Sequence, residues 1–237
     1  MDNTKADHTA PHFSWRMLHT HEAPAAHRIH LAAIADQAFG LVRPDELPHF
    51  IAHTGDAGAI VGCFTDLDGA EQMLAYGVLG MNSSTTSHMA ELLCIAPADK
   101  PRFAILDGVA ALPGWRGHGL HRASIQARLD HAGTVGRSLI GATVSPENIA
   151  SLRGLLESGF RVTNFAMLYG GLARLVLKKD LNDTAPGWSL EQKIDTTDRA
   201  ANQAALAIGQ TAYACSQMGS SVGGHSERWQ LHYGYLV

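Results

Sequence analysis

Apolar residues recur along this chain in two rhythms, one of strands and one of helices. Phe13 to Leu18 reads as a first strand. From Ala25 to Phe39, the positions Ile29, Ala33, Ile34 and Ala38 return at helical spacing, and a second short helix is expected near Pro44 to His53. Ala59 to Phe64 and Met73 to Leu79 are strand-like, and Asp66 to Glu71 between them has the composition of a hairpin turn. After the polar stretch Asn82 to Ser87, the run Leu92 to Ile95 is expected to continue the sheet. Phe103 to Leu112 is a clearer buried strand, broken by Asp107 and Gly108. Gly117 to Ala132 reads as a helix that packs through Leu120, Ala123, Ile125, Ala127 and Leu129, and Ser138 to Val144 as another strand. Ser145 then fits a helix N-cap with Pro146 in the first helical position, where its missing N–H costs nothing. Ile149, Leu152 and Leu156 give that helix one apolar face, and Gly159 supplies a left-handed stop. Arg161 to Leu168 and Leu172 to Leu177 close the series as a strand pair about Gly170-Gly171.

This order calls for an α/β (α+β) sandwich with a mixed, mostly antiparallel sheet and one parallel βαβ crossover. From about Asp180 the texture changes. A helix-like stretch, Thr197 to Cys215, precedes a small-residue loop, Gly219 to Ser226, and a strand-like Trp229 to Val237. The division expected is a domain over 13–181 and a C-terminal extension over 182–237. The apolar Trp229 to Val237 needs cover, from its own domain or from a second copy of the chain in a homodimer.

Composition narrows the function. With 46% hydrophobic and 17% charged residues, the chain can bury a sizeable core. A formal net charge of -4, with Lys178-Lys179 the one adjacent basic pair of note, argues against a nucleic-acid partner. No apolar run approaches the roughly 20 residues that span a bilayer, and Met1 to Trp15 lacks a secretory apolar stretch, so no membrane partner is expected. Cys63, Cys94 and Cys215 are far apart. Cys63 and Cys94 sit in strand-like runs, which predicts buried thiols and a reducing cytoplasm.

The candidate chemistry lies in the segment from Val109 to His121. There a buried strand ends at Pro113, which removes a ladder donor and makes the strand bulge or stop. Gly117 and Gly119 then let backbone approach a ligand closely. The first amides of the following helix have no internal partners and carry the positive end of its dipole, and Arg116 adds a fixed charge. Together these form a cradle suited to a pyrophosphate.

Arg116-Gly117-His118-Gly119-Leu120-His121 resembles the R/Q-x-x-G-x-G/A signature of GNAT acyltransferases, with His121 in place of the last small residue. Asn148-Ile149-Ala150-Ser151, followed by Gly159-Phe160, resembles the second cofactor motif of that superfamily. The likeness spans 13–181 in element order and is motif-level from 103 to 160. It implies helices on both faces of the sheet and acetyl-CoA as cosubstrate, without a metal. The signature residues Arg116 to His121 would bind pyrophosphate, with the His121 side chain turned away. Val109, Ala110 and Ala111 would pair with the pantetheine arm, Asn148 would contact it, and Ser151 would lie beside the cofactor. Asp107 stands where a strand carboxylate often relays a proton from the amine, though a carboxylate here also suits solvation of the strand or a loop amide. Leu155 occupies the place where many members carry a thiolate-protonating tyrosine. Tyr169 flanks the Gly170-Gly171 turn, most simply as a hairpin aromatic, and alternatively as a wall of the acceptor pocket.

The activity implied is N-acetyl transfer to a primary amine of a small molecule, amino acid or peptide, by direct attack in a ternary complex. A GNAT-fold sensor or scaffold that binds acyl-CoA without turnover is the alternative that Leu155 permits. Gly219-Ser220-Ser221-Val222-Gly223 matches the G-x-S-x-G hydrolase elbow but lacks the strand and helix that motif requires. His19-Thr20-His21-Glu22, His27 with His30, and His118 with His121 are close pairs among fourteen histidines. No further carboxylate or cysteine completes a ligand set around them, so no metal is expected.

Overall fold

The computed structural model describes residues 11–35, 41, 43–184, 187–218 and 227–237. The elements in chain order are β1 (Ser14–Met17), α1 (Ala23–Ala35), α2 (Leu47–His53), β2 (Gly58–Leu67), β3 (Ala70–Gly80), α3 (Ser84–Leu92), β4 (Phe103–Ala111) and α4 (Leu120–Thr134). They continue with β5 (Leu139–Val144), α5 (Ile149–Glu157), β6 (Arg161–Leu168), β7 (Leu172–Asp180), β8 (Gln192–Asp195), α6 (Arg199–Ala207), β9 (Thr211–Gln217) and β10 (Trp229–Gly234). The strands form one sheet in the order β1-β2-β3-β4-β5-β7-β6-β9-β10-β8. Among the described residues β4 and β5 are the one parallel neighbour pair, joined by α4, and every other pairing is antiparallel.

Alternation along the strands explains the two helical layers. Ile60, Tyr76 and Val78 point to one face, where Ala26 and Ile29 of α1 and Phe50 of α2 cover them. Farther along, Ile105 and Val176 meet Met89 and Ala90 of α3. Ala59, Leu79, Ala104 and Leu106 point the other way, onto Ile125 and Leu129 of α4 and Leu152 and Leu156 of α5. The β2–β3 hairpin turns on Asp68-Gly69, both at positive φ (55° and 82°), as a tight Asp-Gly turn demands. No helix of the described residues is long and apolar enough to cross a membrane.

Three expectations about elements are corrected. Ser84–Leu92 is a helix and not a lead into a strand at Leu92 to Ile95. Ser83 caps it by accepting the Thr86 N–H at 3.1 Å, and Thr86, Met89, Ala90 and Leu93 form its buried stripe. The threonine and the polar outer face disguised that spacing. Cys94 consequently lies past the helix end, at φ 51°, and is exposed rather than buried. The N-cap of α5 is Asn148, not Ser145: Asn148 Oδ1 accepts the Ser151 N–H at 3.2 Å. Ser145 instead holds a preceding turn, its carbonyl accepting the Asn148 N–H at 3.0 Å.

In the extension, the stretch expected to be one helix divides into α6 and β9 at Gly209 (φ 83°). β9 continues the sheet beyond β6 through Val162↔Ala212, and β10 pairs with β9 and β8. Ile194, Ala205, Ala212, Leu231 and Tyr233 pack into the same core as Val162 and Phe165. Leu231 and Tyr233 of the tail are thus covered by their own chain, while Tyr235, Leu236 and Val237 stay exposed. The Gly219 to Gly223 motif and the loop around it lie outside the described residues, as do Ala38 and Phe39.

Candidate functional site at the open end of β4

β4 and β5 run together only from Phe103↔Leu139 to Leu106↔Ala142, and then part. On its other side β4 stays on β3, but the register jumps from Leu79↔Leu106 to Gly77↔Val109, which makes a bulge at Asp107-Gly108. Val109, Ala110 and Ala111 keep β3 as a partner and have none toward β5. The gap opens into a cleft of about 650 Å³ against the first turns of α4 and α5. Of the eleven residues expected to hold the cosubstrate, ten line this cleft: Val109, Ala110, Ala111, Arg116, Gly117, Gly119, Leu120, His121, Asn148 and Ser151. The eleventh, His118, is exposed on the outer side of the turn, its Nδ1 near the Trp115 and Arg116 carbonyls.

The turn into α4 depends on its glycines. Gly117 and Gly119 sit at φ 82° and 75°, and no atom lies within 4 Å of where a side chain would begin at either. Ala123 is the first α4 residue whose N–H reaches back, to Gly119 O at 3.1 Å. The amides of Leu120, His121 and Arg122 open the helix without intrahelical partners and face the cleft end. His121 turns its ring toward α5, where Nε2 is 3.2 Å from Ser151 Oγ. Burial, with the Arg128 charge adding to it, lowers His121 to about 4. Gly154 is a residue that sequence reasoning missed here. A Cβ at that position would stand 2.8 Å from His121 Nδ1, so a side chain there would push this ring aside.

A second cavity of about 100 Å³ lies on the other side of the gap. Its walls include Arg43, Asp107, Thr143, Tyr169 and Arg174, and it shares Val109, Asn148 and Ser151 with the cleft. The two cavities therefore meet at the end of β4. Tyr169, at φ 52° in the β6–β7 turn, has its ring between the Arg43 and Arg174 guanidiniums, 5.2 and 5.7 Å from the centroid. Its hydroxyl is 3.4 Å from Thr143 Oγ1. Arg43 bonds Asp45 at 2.6 Å and stands 3.6 Å from Asp107 Oδ1. Burial works against the Arg43 charge, but Asp107 and Asp45 more than offset it and raise its pKa. Leu155 is buried in the core and lines neither cavity.

Beneath the bulge is a polar layer that the sequence did not announce. The His30 Nε2 accepts the Asp45 N–H at 2.9 Å, so its Nδ1 carries the proton and donates to the Tyr76 hydroxyl at 2.7 Å. Arg128 of α4 is 1% exposed and donates to the Ser124 and Val78 carbonyls at 3.1 and 3.2 Å. Val78 is the β3 residue that the bulge skips, so Arg128 ties the bulge to the helix that opens the cleft. Gly77 makes room, since a Cβ there would lie 2.7 Å from Arg128 Nε. Burial lowers Arg128 to about 10, which leaves it charged at neutral pH.

No family model matches the chain, and no curated protein matches it in sequence. Solved structures do match in shape. The ribosomal-protein-S18-alanine N-acetyltransferase of Escherichia coli is similar with a TM-score of 0.51 at 17% identity, over 73% of this chain and 96% of that one. The diaminobutyrate acetyltransferase of Paenibacillus lautus, in complex with L-2,4-diaminobutyric acid and coenzyme A, gives 0.52 at 14%, over 74% and 99%. A chain of the NatC complex bound to Gag peptide and CoA gives 0.54 at 15%, over 72% and 99%. The chain has the GNAT fold. Nearly the whole of each of these chains is covered, whereas about a quarter of this chain lies outside the match.

Proposed function

We propose that this GNAT-fold protein transfers an acetyl group from acetyl-CoA to a primary amine, by direct attack while both substrates are bound. The observation that carries the proposal is the meeting of two cavities at the end of β4, where its edge toward β5 is open. One is bordered by a glycine turn with free helix amides, which suits a pyrophosphate. The other is small, polar and bordered by a carboxylate, which suits an amine. In this reading 13–181 is the catalytic unit and 182–237 an extension of it.

The residues divide the work. The amides of Leu120, His121 and Arg122, with Arg116, hold the pyrophosphate. The open edge of Val109 to Ala111 pairs with the pantetheine arm, beside Asn148 and Ser151. Strand amides near Ala110 and Ala111 polarise the thioester carbonyl. Asp107 takes the proton of the incoming ammonium, so that the neutral amine attacks and the thiolate departs. With Leu155 in the core, the thiolate takes its proton from water or from the one the amine gives up, or Tyr169 supplies it from the acceptor side.

Two measurements test this. Acetyl-CoA at 100 times its dissociation constant should stabilise the fold by about 2.7 kcal/mol, read as a thermal shift. Absence of any shift at millimolar acetyl-CoA would remove the central claim. Thiol release against a panel of small amines, amino acids and peptides then separates the enzyme from an acyl-CoA sensor. The buried Leu155 favours that second reading, which predicts binding with no turnover on any amine.

A further inference from the structure

Three buried polar atoms face one another behind the acceptor pocket, and none has a hydrogen-bond partner: His49 Nε2, His53 Nε2 and Asp107 Oδ2. His49 and His53 stand one turn apart on α2, and Asp107 reaches toward them from the β4 bulge. Each of the three residues offers a ligand atom, and these atoms lie within 4.8 Å of one another. The His49 Nε2 to Asp107 Oδ2 separation is 4.0 Å. Leaving three such atoms unsatisfied in a protein interior is costly, so something fills the space between them.

We propose that His49, His53 and Asp107 form a binding site for a divalent transition-metal ion of the zinc type. The inference does not rest on the acetyl-transfer reading. The His53 tautomer supports it first. Its Nδ1 lies 2.7 Å from the His49 carbonyl, which can only accept, so Nδ1 carries the proton and the Nε2 lone pair points at the cluster. A backbone carbonyl that orients the far nitrogen in this way is the usual outer partner of a metal-bound histidine. The carboxylate supports it next. Arg43 is held by Asp45 at 2.6 Å and comes only within 3.6 Å of Asp107 Oδ1, so Oδ2 is free for a cation.

Two imidazoles and a carboxylate are a common zinc set, with an open fourth position for water. Bonds of about 2.0–2.2 Å place tetrahedral ligand atoms about 3.3 Å apart, so the three must close by about 1 Å, a small side-chain rotation. A bound ion would occupy the carboxylate that the transfer reading uses as its base, and would therefore hold the enzyme inactive until it is withdrawn.

The test uses the whole chain, dialysed against a chelator and then titrated with zinc chloride by calorimetry. Cobalt(II) in a parallel titration reports the geometry through its visible bands. One equivalent should bind, with tetrahedral-type cobalt bands, and the double variant His49→Gln/His53→Gln should bind at least about 100-fold more weakly. Asp107→Asn, which keeps the shape of the carboxylate, should weaken zinc at least about tenfold. Equal zinc affinity in parent and double variant would overturn the proposal, since exposed histidines would then account for the binding. So would a parent that binds no zinc, and the cluster would then hold water. A thermal melt and the acetyl-CoA shift of each variant show that it is folded. Zinc that binds here while transfer continues unchanged would support the site and take the base role from Asp107.

Discussion

The two cavities at the end of β4 are built by opposite means. The larger is walled by backbone. Its essential groups are the amides that open α4, the free edge of Val109 to Ala111, and two glycines at positive φ. Of its side chains, His121 turns toward Ser151 and Asn148 caps a helix. The smaller is walled by side chains that come from distant parts of the chain: Arg43, Asp107, Thr143, Tyr169 and Arg174. A backbone wall recognises what every cosubstrate molecule shares, and its chemistry survives most substitutions. A side-chain wall sets which acceptor fits, and a single substitution can rewrite it.

The sharpest way to break this contrast is Asp107→Asn. It keeps the size of the side chain and removes the base, so turnover should fall on the order of 10²–10⁴-fold while acetyl-CoA affinity stays within error of the parent. Rates on whichever amine proves active, beside a binding isotherm, decide it. Unchanged turnover would move the role away from Asp107, and Tyr169 would be the next residue to substitute.

Gly119→Asp probes the other wall. It forces a left-handed backbone on a residue with a Cβ and points a carboxylate into the cradle. We expect acetyl-CoA affinity to weaken by about 10–100-fold, that is by about 1.4–2.7 kcal/mol. A calorimetric Kd equal to that of the parent would show that the phosphates do not sit at this turn.

A smaller effect is expected from the link between the two walls. Arg128→Met keeps the apolar stem but strips the Val78 carbonyl of its side-chain donor. The loss should be about 1–3 kcal/mol of stability, read in a urea melt, with the m-value unchanged. A variant as stable as the parent would mean that the bulge holds itself.

The smallest effect is one of pH. Burial lowers the folded-state pKa of His121 to about 4, below the value of about 6.5 expected when unfolded. Between those values the unfolded chain binds the extra proton, so the contribution of His121 is full above about pH 6.5 and is lost as pH falls toward 4. Other lowered histidines, His30 and His49, act in the same direction, so the comparison must be with His121→Asn. That variant should show a shallower fall in stability from pH 6.5 to 4. Parallel curves would show that the ring is not desolvated.

The contrast between the walls also explains what could be read beforehand. The cleft was legible because its parts are local. Arg116 to His121 and Asn148 to Ser151 each form one turn at a helix start, and glycine and asparagine there have few other uses. Most strands were legible for the same reason, since short continuous apolar runs mark Ala59 to Phe64 and Ser138 to Val144 without reference to the rest of the chain. α3 was missed because Thr86 filled an apolar position of its buried stripe, and β9 because alanines suit helix and strand alike.

By itself, then, the sequence determined the element order outside α3 and the C-terminal extension, the glycine turn before α4 and the candidate cosubstrate residues, because each rests on backbone geometry that neighbouring residues impose. Only the tertiary structure decided the rest. The parting of β4 from β5 depends on where pairing stops, at Leu106↔Ala142, which no local pattern records. His49 and His53 gain meaning only when the bulge brings Asp107 against them across more than fifty residues of chain. Arg128 reads as a surface residue of an amphipathic helix until the bulge leaves it a carbonyl to bind. The physical reason is common to all three. Contacts between distant residues depend on register and packing, and those are set by the whole sheet at once.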